Sequence, residues 1–207
     1  DTTDGISFKN ATFDGKLMAM PSISPGADAI PILFVRGDWM DELGLDEPKT
    51  VEDITNIVKA FKEKYGDSNS LVMSQNIVSE NGNNTYGMDA LFALYGAYPK
   101  HWVTDADGNL VYGSNTDEAK TALAEIRKLV EDGTIDASFT VRDSDQCAEL
   151  VTSGQAGIFF GAWWNMSWPL NNMVEEDPNI YWNAYLAPLT DDGTYNTATL
   201  CPSSSFM

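Results

Sequence analysis

Two adjacent tryptophans, Trp163 and Trp164, are the residues in this sequence best suited by type and spacing to hold a small ligand. They follow an apolar run that predicts a buried strand over 156–161, and Asn165 comes directly after them. The flat apolar face of an indole fits the C–H face of a sugar ring, while an amide offers directed hydrogen bonds. Because ligands of open α/β sheets collect beyond the carboxyl ends of strands, we expect Trp163, Trp164 and Asn165 to contact a sugar.

The same pair also has a purely structural interpretation, in which one indole belongs to the core and the other covers Pro169. Adjacent side chains on an extended segment point to opposite sides. Both interpretations therefore hold together if one tryptophan is buried and the other contacts the ligand.

A second group of candidate ligand-binding residues lies in and after a polar loop that covers residues 79–86. The loop contains Asn83, Asn84 and Tyr86, and Trp102 follows it along the chain. Amides and aromatic rings are the side chains that suit a sugar, so these four residues are expected on the rim of a binding cleft. The alternative is a solvated loop without a ligand.

Residue types that carry nucleophilic or metal chemistry are few. The chain has a single histidine, His101, in a setting without a nucleophile motif, so neither a Ser-His-Asp nor a Cys-His mechanism is indicated. The two cysteines, Cys147 and Cys201, lack zinc-type spacing, and the sequence leaves open whether they are two buried thiols or one disulfide. No catalytic residue, metal site or cofactor is expected.

A calcium loop is the remaining metal-site alternative. Asp105, Asp107 and Asn109 stand at alternate positions, but the last ligand of an EF-hand loop counted from Asp105 would be Thr116 instead of a glutamate. We therefore predict a polar hairpin turn between two short strands.

The charge balance excludes several classes of protein. The 207 residues include 31 acidic and 12 basic side chains, which gives a formal net charge of -19. Nucleic-acid phosphates and anionic membrane surfaces attract basic faces, so neither is an expected partner. The 43% of hydrophobic residues, with 11% aromatics, are enough for the core of a folded domain. No apolar run is long enough for a spanning helix.

The hydrophobic pattern predicts a helix-rich α/β fold around one sheet, with hairpins at 13–17 and 102–112. Asp38 is predicted to cap a helix that ends at Gly44, and Thr50 with Asp53 to form a capping box that opens the next helix. The remaining predictions follow in chain order. They are strands over 32–35, 71–74, 156–161 and 181–187, and helices over 51–65, 88–95, 115–132, 144–153 and 166–175.

Six segments, taken in order, resemble the extracellular solute-binding proteins of carbohydrate ABC importers, in particular the large lipoprotein-type receptors common in gut Firmicutes. The segments are DGKLMAMP (14–21), LFVRGDWMDELGL (33–45), PKTVED (48–53), DGNLVY (107–112), LVEDGTID (129–136) and SGQAGI (153–158). Each segment by itself is a weak signal. Together they run through nearly the whole chain in the family's order.

The resemblance implies a periplasmic-binding-protein type II-like fold, whose two lobes close over a ligand in the cleft between them. It implies that residues 1–207 are a single α/β lobe, chiefly the second lobe of a longer receptor, with hinge-proximal segments at 14–31 and 188–207. Family members have an acidic, calcium-type loop after the helix over 51–65. Residues 65–70 lack most of those carboxylates, so the resemblance does not carry a metal site over to this chain.

The function implied by the resemblance is that of the substrate-binding component of an ABC importer. Such a protein captures a mono- or oligosaccharide and delivers it to membrane permeases without chemistry. We then expect a monomeric extracellular cell-surface lipoprotein, or a periplasmic protein, held at the membrane only by a lipid anchor that this chain lacks. Two other classes remain open: a carbohydrate-active hydrolase that uses a pair of acidic residues, and a structural adhesion module.

Overall fold

The computed structural model describes residues 5, 8–9, 11–23, 30–79, 85–197 and 204–206. Its strands and helices are named β1–β9 and α1–α6 in chain order. The strands are Thr12–Phe13 (β1), Lys16–Leu17 (β2), Pro21–Ile23 (β3), Ile32–Arg36 (β4), Trp102–Thr104 (β5), Leu110–Tyr112 (β6), Ile158–Gly161 (β7), Trp182–Tyr185 (β8) and Ser204–Phe206 (β9). The helices are Gly37–Leu43 (α1), Val51–Tyr65 (α2), Asp89–Leu94 (α3), Asp117–Glu131 (α4), Ser144–Thr152 (α5) and Leu170–Glu176 (α6).

The centre of the fold is a three-stranded antiparallel sheet in the order β7–β4–β8. The middle strand, β4, is apolar at successive positions, which suits a strand covered on both faces, and residues 33–35 are fully buried. Beyond β7, Val72 forms a parallel bridge to Phe159. The strand predicted over 71–74 is therefore present only as isolated bridges beside the sheet.

Alternation along the strands divides the interior into two cores. Leu33 and Val35 of β4 pack into the core that includes residues of α1, α2, α3 and α4. Phe34 belongs to the other core, where it stacks on Phe159 of β7 and joins side chains of α5 and α6. Because side chains alternate with a period of two along a strand, helices cover the sheet on both faces. The predicted helix-rich α/β architecture is confirmed.

Two of the predicted helix ends are confirmed by their cap geometry. The Thr50 hydroxyl accepts a hydrogen bond from the Asp53 amide at 3.1 Å, and the Asp53 carboxylate accepts one from the Thr50 amide at 2.9 Å. These two bonds are the predicted capping box of α2. Gly44 adopts the left-handed conformation, with a φ of 63°, in which α1 ends.

The predicted start of α1 is wrong. Asp38 does not cap this helix, because the helix begins at Gly37 and Arg36 occupies the N-cap position without a side-chain hydrogen bond. The Asp38 carboxylate instead accepts hydrogen bonds from Nε and Nη2 of Arg36 at 2.7 and 2.5 Å. The buried guanidinium also lies 4.4 Å from the ring centroid of Trp39. The ion pair compensates a charge that would otherwise be costly to bury.

The predicted start of α6 is also wrong, since this helix begins four residues later than expected, at Leu170. The residues before it form a separate 3₁₀ turn, Trp163–Met166. Pro169 separates the two, because a proline disfavours helical geometry in the residue that precedes it. The tryptophan pair therefore lies on a turn of its own.

Gly157 lies against the ring of Trp39, which packs α1 onto the sheet. A β-carbon at this position would lie 2.6 Å from two ring carbons of Trp39 and 3.1 Å from Cγ of Arg36. We expect Gly157→Ala to lower the free energy of unfolding by about 1–3 kcal/mol, the range for overpacking in a core. Urea denaturation measures the change. Gln155→Ala, at an exposed position nearby, is the control and should change stability by less than about 0.5 kcal/mol; equal effects of the two substitutions contradict the role of this contact.

The capping box of α2 is expected to make stability depend on pH. Hydrogen bonds from the backbone amides of Lys49 and Thr50 lower the pKa of Asp53 below its ordinary value. Its stabilising effect is therefore present above the ordinary pKa and is lost as the pH falls through the lowered pKa of the folded state. We expect Asp53→Asn to be less stable than the parent at neutral pH and equal to it in strong acid.

Unfolding free energies measured from neutral to acidic pH test this dependence. The companion variant Thr50→Ala removes the uncharged half of the box, so its loss of about 1 kcal/mol should persist at low pH. A deficit of Asp53→Asn that stays constant across the acidic range shows that the carboxylate charge has no part in the cap.

Candidate functional site

One end of the central sheet gathers the start of β4 and the ends of β7 and β8. The antiparallel register places Ile32 opposite Gly161 and Leu33 opposite Tyr185, so the segments that follow β7 and β8 leave the sheet at the same end. This end is the carboxyl end of β7, where the sequence predicts the ligand.

The two tryptophans after β7 lie on the 3₁₀ turn and not on an extended segment. Trp163 is 56% exposed, Trp164 is half-buried, and Met166 and Trp168 are also exposed. We call residues 163–168 the aromatic turn. It presents an apolar, largely aromatic surface beyond the end of β7, which is the kind of surface that stacks against a sugar ring.

Asn165 holds the aromatic turn from the inside. Its side chain is fully buried, and its Oδ1 accepts hydrogen bonds from the Ala162 amide at 2.7 Å and from the Thr85 hydroxyl at 3.0 Å. Its Nδ2 donates to the Trp168 carbonyl at 3.3 Å. The amide predicted to contact a ligand is thus directed at the protein, where it positions the turn that carries Trp163.

Tyr86, another predicted rim residue, is only 1% exposed. Its ring centroid lies 5.1 Å from that of Phe159, and its amide donates to the Phe160 carbonyl at 2.7 Å. Burial raises the pKa of Tyr86, and its hydroxyl has no hydrogen-bond partner within the described part of the chain. The hydrogen bond and the ring contact of Tyr86 therefore attach the chain to β7 two residues after segment 80–84. Asn83 and Asn84 belong to that segment and lie outside the described residues.

Trp102 lies apart from the aromatic turn, on β5 of the β5–β6 hairpin. It is 65% exposed, and its ring centroid is 5.4 Å from that of Tyr112, the residue opposite it in the register. The carboxylate of Asp105 accepts hydrogen bonds from the amides of Asp107 at 3.0 Å and Asn109 at 2.7 Å. The predicted polar hairpin turn is therefore confirmed.

Two residues that support this end of the sheet were not predicted from the sequence. Thr85 donates its hydroxyl hydrogen to Asn165, and Tyr195 donates its own to the Pro31 carbonyl at 2.5 Å. Their partners are 80 and 164 residues away along the chain. Neither contact produces a local motif or a hydrophobic period, so no sequence signal points to it.

The described residues offer little for covalent or metal chemistry. Among them, no group of three or more His, Cys, Asp or Glu side chains is arranged to hold a metal ion. Burial raises the pKa of the Cys147 thiol to about 12, so the thiol stays protonated and unreactive at neutral pH. Its Sγ lies 3.4 Å from the Met73 carbonyl, while Cys201 lies outside the described residues. Stacking and hydrogen bonding are what this end of the sheet offers a ligand.

The helices in the described ranges include none that is long and apolar enough to cross a bilayer.

Comparison with curated proteins gives relatives that bind saccharides. The chain is 29% identical over 153 residues to the polygalacturonan/rhamnogalacturonan-binding protein YtcQ of Bacillus subtilis, a match that covers 74% of this chain and 30% of YtcQ. It is 28% identical over 172 residues to the fructooligosaccharide ABC transporter substrate-binding protein FusA of Streptococcus pneumoniae, covering 78% of this chain and 30% of FusA. The matches thus span less than a third of each relative.

Comparison with solved structures identifies the fold. An HMO-binding, ABC-transporter-associated solute-binding protein from Bifidobacterium longum infantis aligns with a TM-score of 0.67 at 21% identity, covering 99% of this chain and 43% of that chain. At this identity the likeness shows the fold alone. The expected fold, of the periplasmic-binding-protein type II kind, is confirmed.

The ordered segments that suggested a family are supported by an independent match over nearly the whole chain. The model of the bacterial extracellular solute-binding protein family aligns with residues 7–204. The match includes the aromatic turn, the central sheet and the β5–β6 hairpin. The chain therefore belongs to the family of bacterial extracellular solute-binding proteins.

Proposed function

We propose that this chain provides the saccharide-binding surface of a substrate-binding protein that serves an ABC importer. The observation that carries the proposal is the aromatic turn, where Trp163 is exposed beyond the end of β7 and Asn165 fixes the turn from the inside. A turn that is already fixed loses little conformational entropy when a ligand stacks on its exposed ring. Membership of the family and the saccharide-binding relatives support a carbohydrate as the ligand.

The proposal includes a division of the receptor into two lobes, with residues 1–207 as one α/β lobe and hinge-proximal segments at 14–31 and 188–207. In support, β3 and β9 pair antiparallel with Pro21 opposite Phe206, so one strand from each segment lies beside the other. Neighbouring chain crossings suit a hinge between two closing lobes. The ligand then binds between the aromatic turn and a facing surface outside this chain.

The proposed ligand contacts differ in kind. Trp163 and Trp164 stack on the sugar, and Asn83 and Asn84 offer amides to it. Asn165 and Tyr86 are positioning residues, because both side chains are buried and contact the protein instead of a ligand.

The proposed role involves binding and delivery without a reaction. The family is extracellular and the relatives named above are binding proteins, which supports an extracellular or periplasmic receptor. We further propose that the receptor is monomeric, is attached to the membrane only through a lipid anchor, and delivers its ligand to permease subunits.

Substitution of the two tryptophans tests the stacking role. We expect Trp163→Ala to weaken saccharide binding by about two- to tenfold, because one aromatic contact contributes about 0.5–1.5 kcal/mol. We expect Trp164→Ala to have a smaller effect, since this indole is half-buried. Isothermal titration calorimetry with a panel of saccharides, on the longest natural chain that contains this sequence, measures the change. Leu123→Ala, an exposed apolar position on α4, is the control. Unchanged binding in both tryptophan variants refutes the stacking role.

The same panel separates a receptor from a hydrolase. A receptor leaves each glycan intact, so the concentration of reducing ends should stay constant during a long incubation with the protein. A steady rise in reducing ends means that the protein cleaves glycosidic bonds, and the binding-only proposal then fails.

A further inference from the structure

We infer that the β5–β6 hairpin carries a second saccharide subsite, where Trp102 and Tyr112 stack on a sugar unit distant from the one at the aromatic turn. The inference rests on the proposed function and deepens it, because a ligand that occupies both places must be an oligosaccharide. It also assigns the chemical class, a neutral oligosaccharide.

The register of the hairpin gathers its aromatic and apolar side chains on one face. Trp102 pairs with Tyr112 and Thr104 pairs with Leu110, and side chains of directly paired residues lie on the same face of a sheet. Trp102, Thr104 and Leu110 are exposed, whereas the valines of the opposite face, at 103 and 111, are partly covered. The largest apolar side chains of the hairpin thus face solvent, although a hairpin that served only packing would turn them inward.

The exposed indole of Trp102 is restrained on one side by Tyr112. Its ring contacts Tyr112 at a centroid distance of 5.4 Å and an interplanar angle of 54°, within the range that aromatic pairs prefer. One side of the indole is therefore occupied by the tyrosine, and the side chain is 65% exposed elsewhere. A ring restrained in this way needs less further ordering than a free one when a sugar stacks on it.

The hairpin itself is anchored at both ends. At its base, the Gly113 amide donates to the His101 carbonyl at 2.7 Å and the Lys100 amide donates to the Ser114 hydroxyl at 2.8 Å. The backbone at Gly113 lies so close to Tyr98 that a β-carbon would be 2.1 Å from the Tyr98 carbonyl oxygen. At its tip, the amides of the turn bind the Asp105 carboxylate, as described above. The backbone that carries the two aromatic rings is therefore held at both ends of the hairpin.

The segment from Val78 to Thr85 connects the β5–β6 hairpin to the aromatic turn. The Lys100 ammonium donates to the Val78 carbonyl at 3.3 Å, and the Thr85 hydroxyl donates to Asn165 at 3.0 Å. Seven steps along the chain separate Val78 from Thr85, so their Cα atoms lie within about 25 Å of each other. The hairpin and the aromatic turn are thus each hydrogen-bonded to one end of the same short stretch of chain.

The polar groups near Trp102 and Tyr112 favour a neutral sugar. The Thr104 hydroxyl lies on the aromatic face, and the turn adds the carboxylates of Asp105 and Asp107 and the amide of Asn109. The Thr104 hydroxyl and the Asp107 carboxylate suit the hydroxyl groups of a sugar, whereas a uronate would be repelled by the two carboxylates. The formal net charge of -19 for the chain also disfavours binding of an acidic saccharide.

Nuclear magnetic resonance of the tryptophan indoles tests the subsite directly. We expect the Trp102 indole signal to shift on addition of neutral tetra- or hexasaccharides and to stay in place with a monosaccharide, while Trp163 shifts with every saccharide that binds. Trp182, which is buried, should shift with none and is the internal control. Oligogalacturonides of the same length should leave Trp102 unshifted.

Affinities of matched variants give the second readout. Trp102→Ala should weaken binding of neutral tetra- and hexasaccharides by about two- to tenfold and leave binding of a monosaccharide unchanged. Trp102→Phe keeps an aromatic ring and should retain most of the affinity. Leu123→Ala again serves as the control for an exposed apolar side chain elsewhere.

Each alternative outcome has a defined meaning. If Trp102→Ala binds saccharides of every length as the parent does, the inference is wrong, while the proposed function stands if Trp163→Ala still weakens binding. Unchanged binding together with impaired import assigns the hairpin to permease docking and also overturns the inference. If the parent protein binds no saccharide of any length, the proposed function itself is wrong.

Discussion

Strand β4 is buried on both faces and hydrogen-bonded on both edges, and the arrangement of the central sheet and of the helices that cover it depends on this constraint. Its alternate side chains define two cores, so helices are required on both sides of the sheet. Its register with β7 and β8 decides which loops meet at each end. The polar groups of its backbone are satisfied by neighbouring strands, as a fully buried segment requires.

The two ends of the sheet have opposite chemical characters. At the carboxyl end of β4, Arg36 is buried with its charge paired to Asp38 and its guanidinium against Trp39, and the chain turns at once into α1. At the other end, the chain presents exposed indoles on a turn. The aromatic residue at the first end is buried and stabilises the fold, whereas Trp163 at the second end is exposed.

At the end of the sheet with the aromatic turn, the chain is held in place by buried side chains. The buried amide of Asn165 joins three parts of the chain, and Tyr86 fixes the backbone beside β7. A buried amide with all these partners is stable in place, because breaking one bond would leave a polar group unsatisfied. The β5–β6 hairpin is similar, because hydrogen bonds hold its base and its tip while the indole of Trp102 is exposed.

The amino-acid sequence by itself determined the elements whose signals are local. The capping box at Thr50, the left-handed stop at Gly44, the turn at Asp105 and the alternating helices and strands all depend on residues a few positions apart. The family also followed from the sequence, because short segments in a fixed order are retained even where each is weak.

Only the tertiary structure decided which candidate site residues are exposed. Asn165 and Tyr86 have the residue types of sugar contacts, yet both are buried, because Thr85 and Phe159, far away in the sequence, pack against them. Asp38 has the residue type of a cap but pairs with Arg36, since a buried guanidinium needs a counter-charge more than the helix needs a cap. The burial of these residues is set by contacts between distant segments, and no local pattern encodes it.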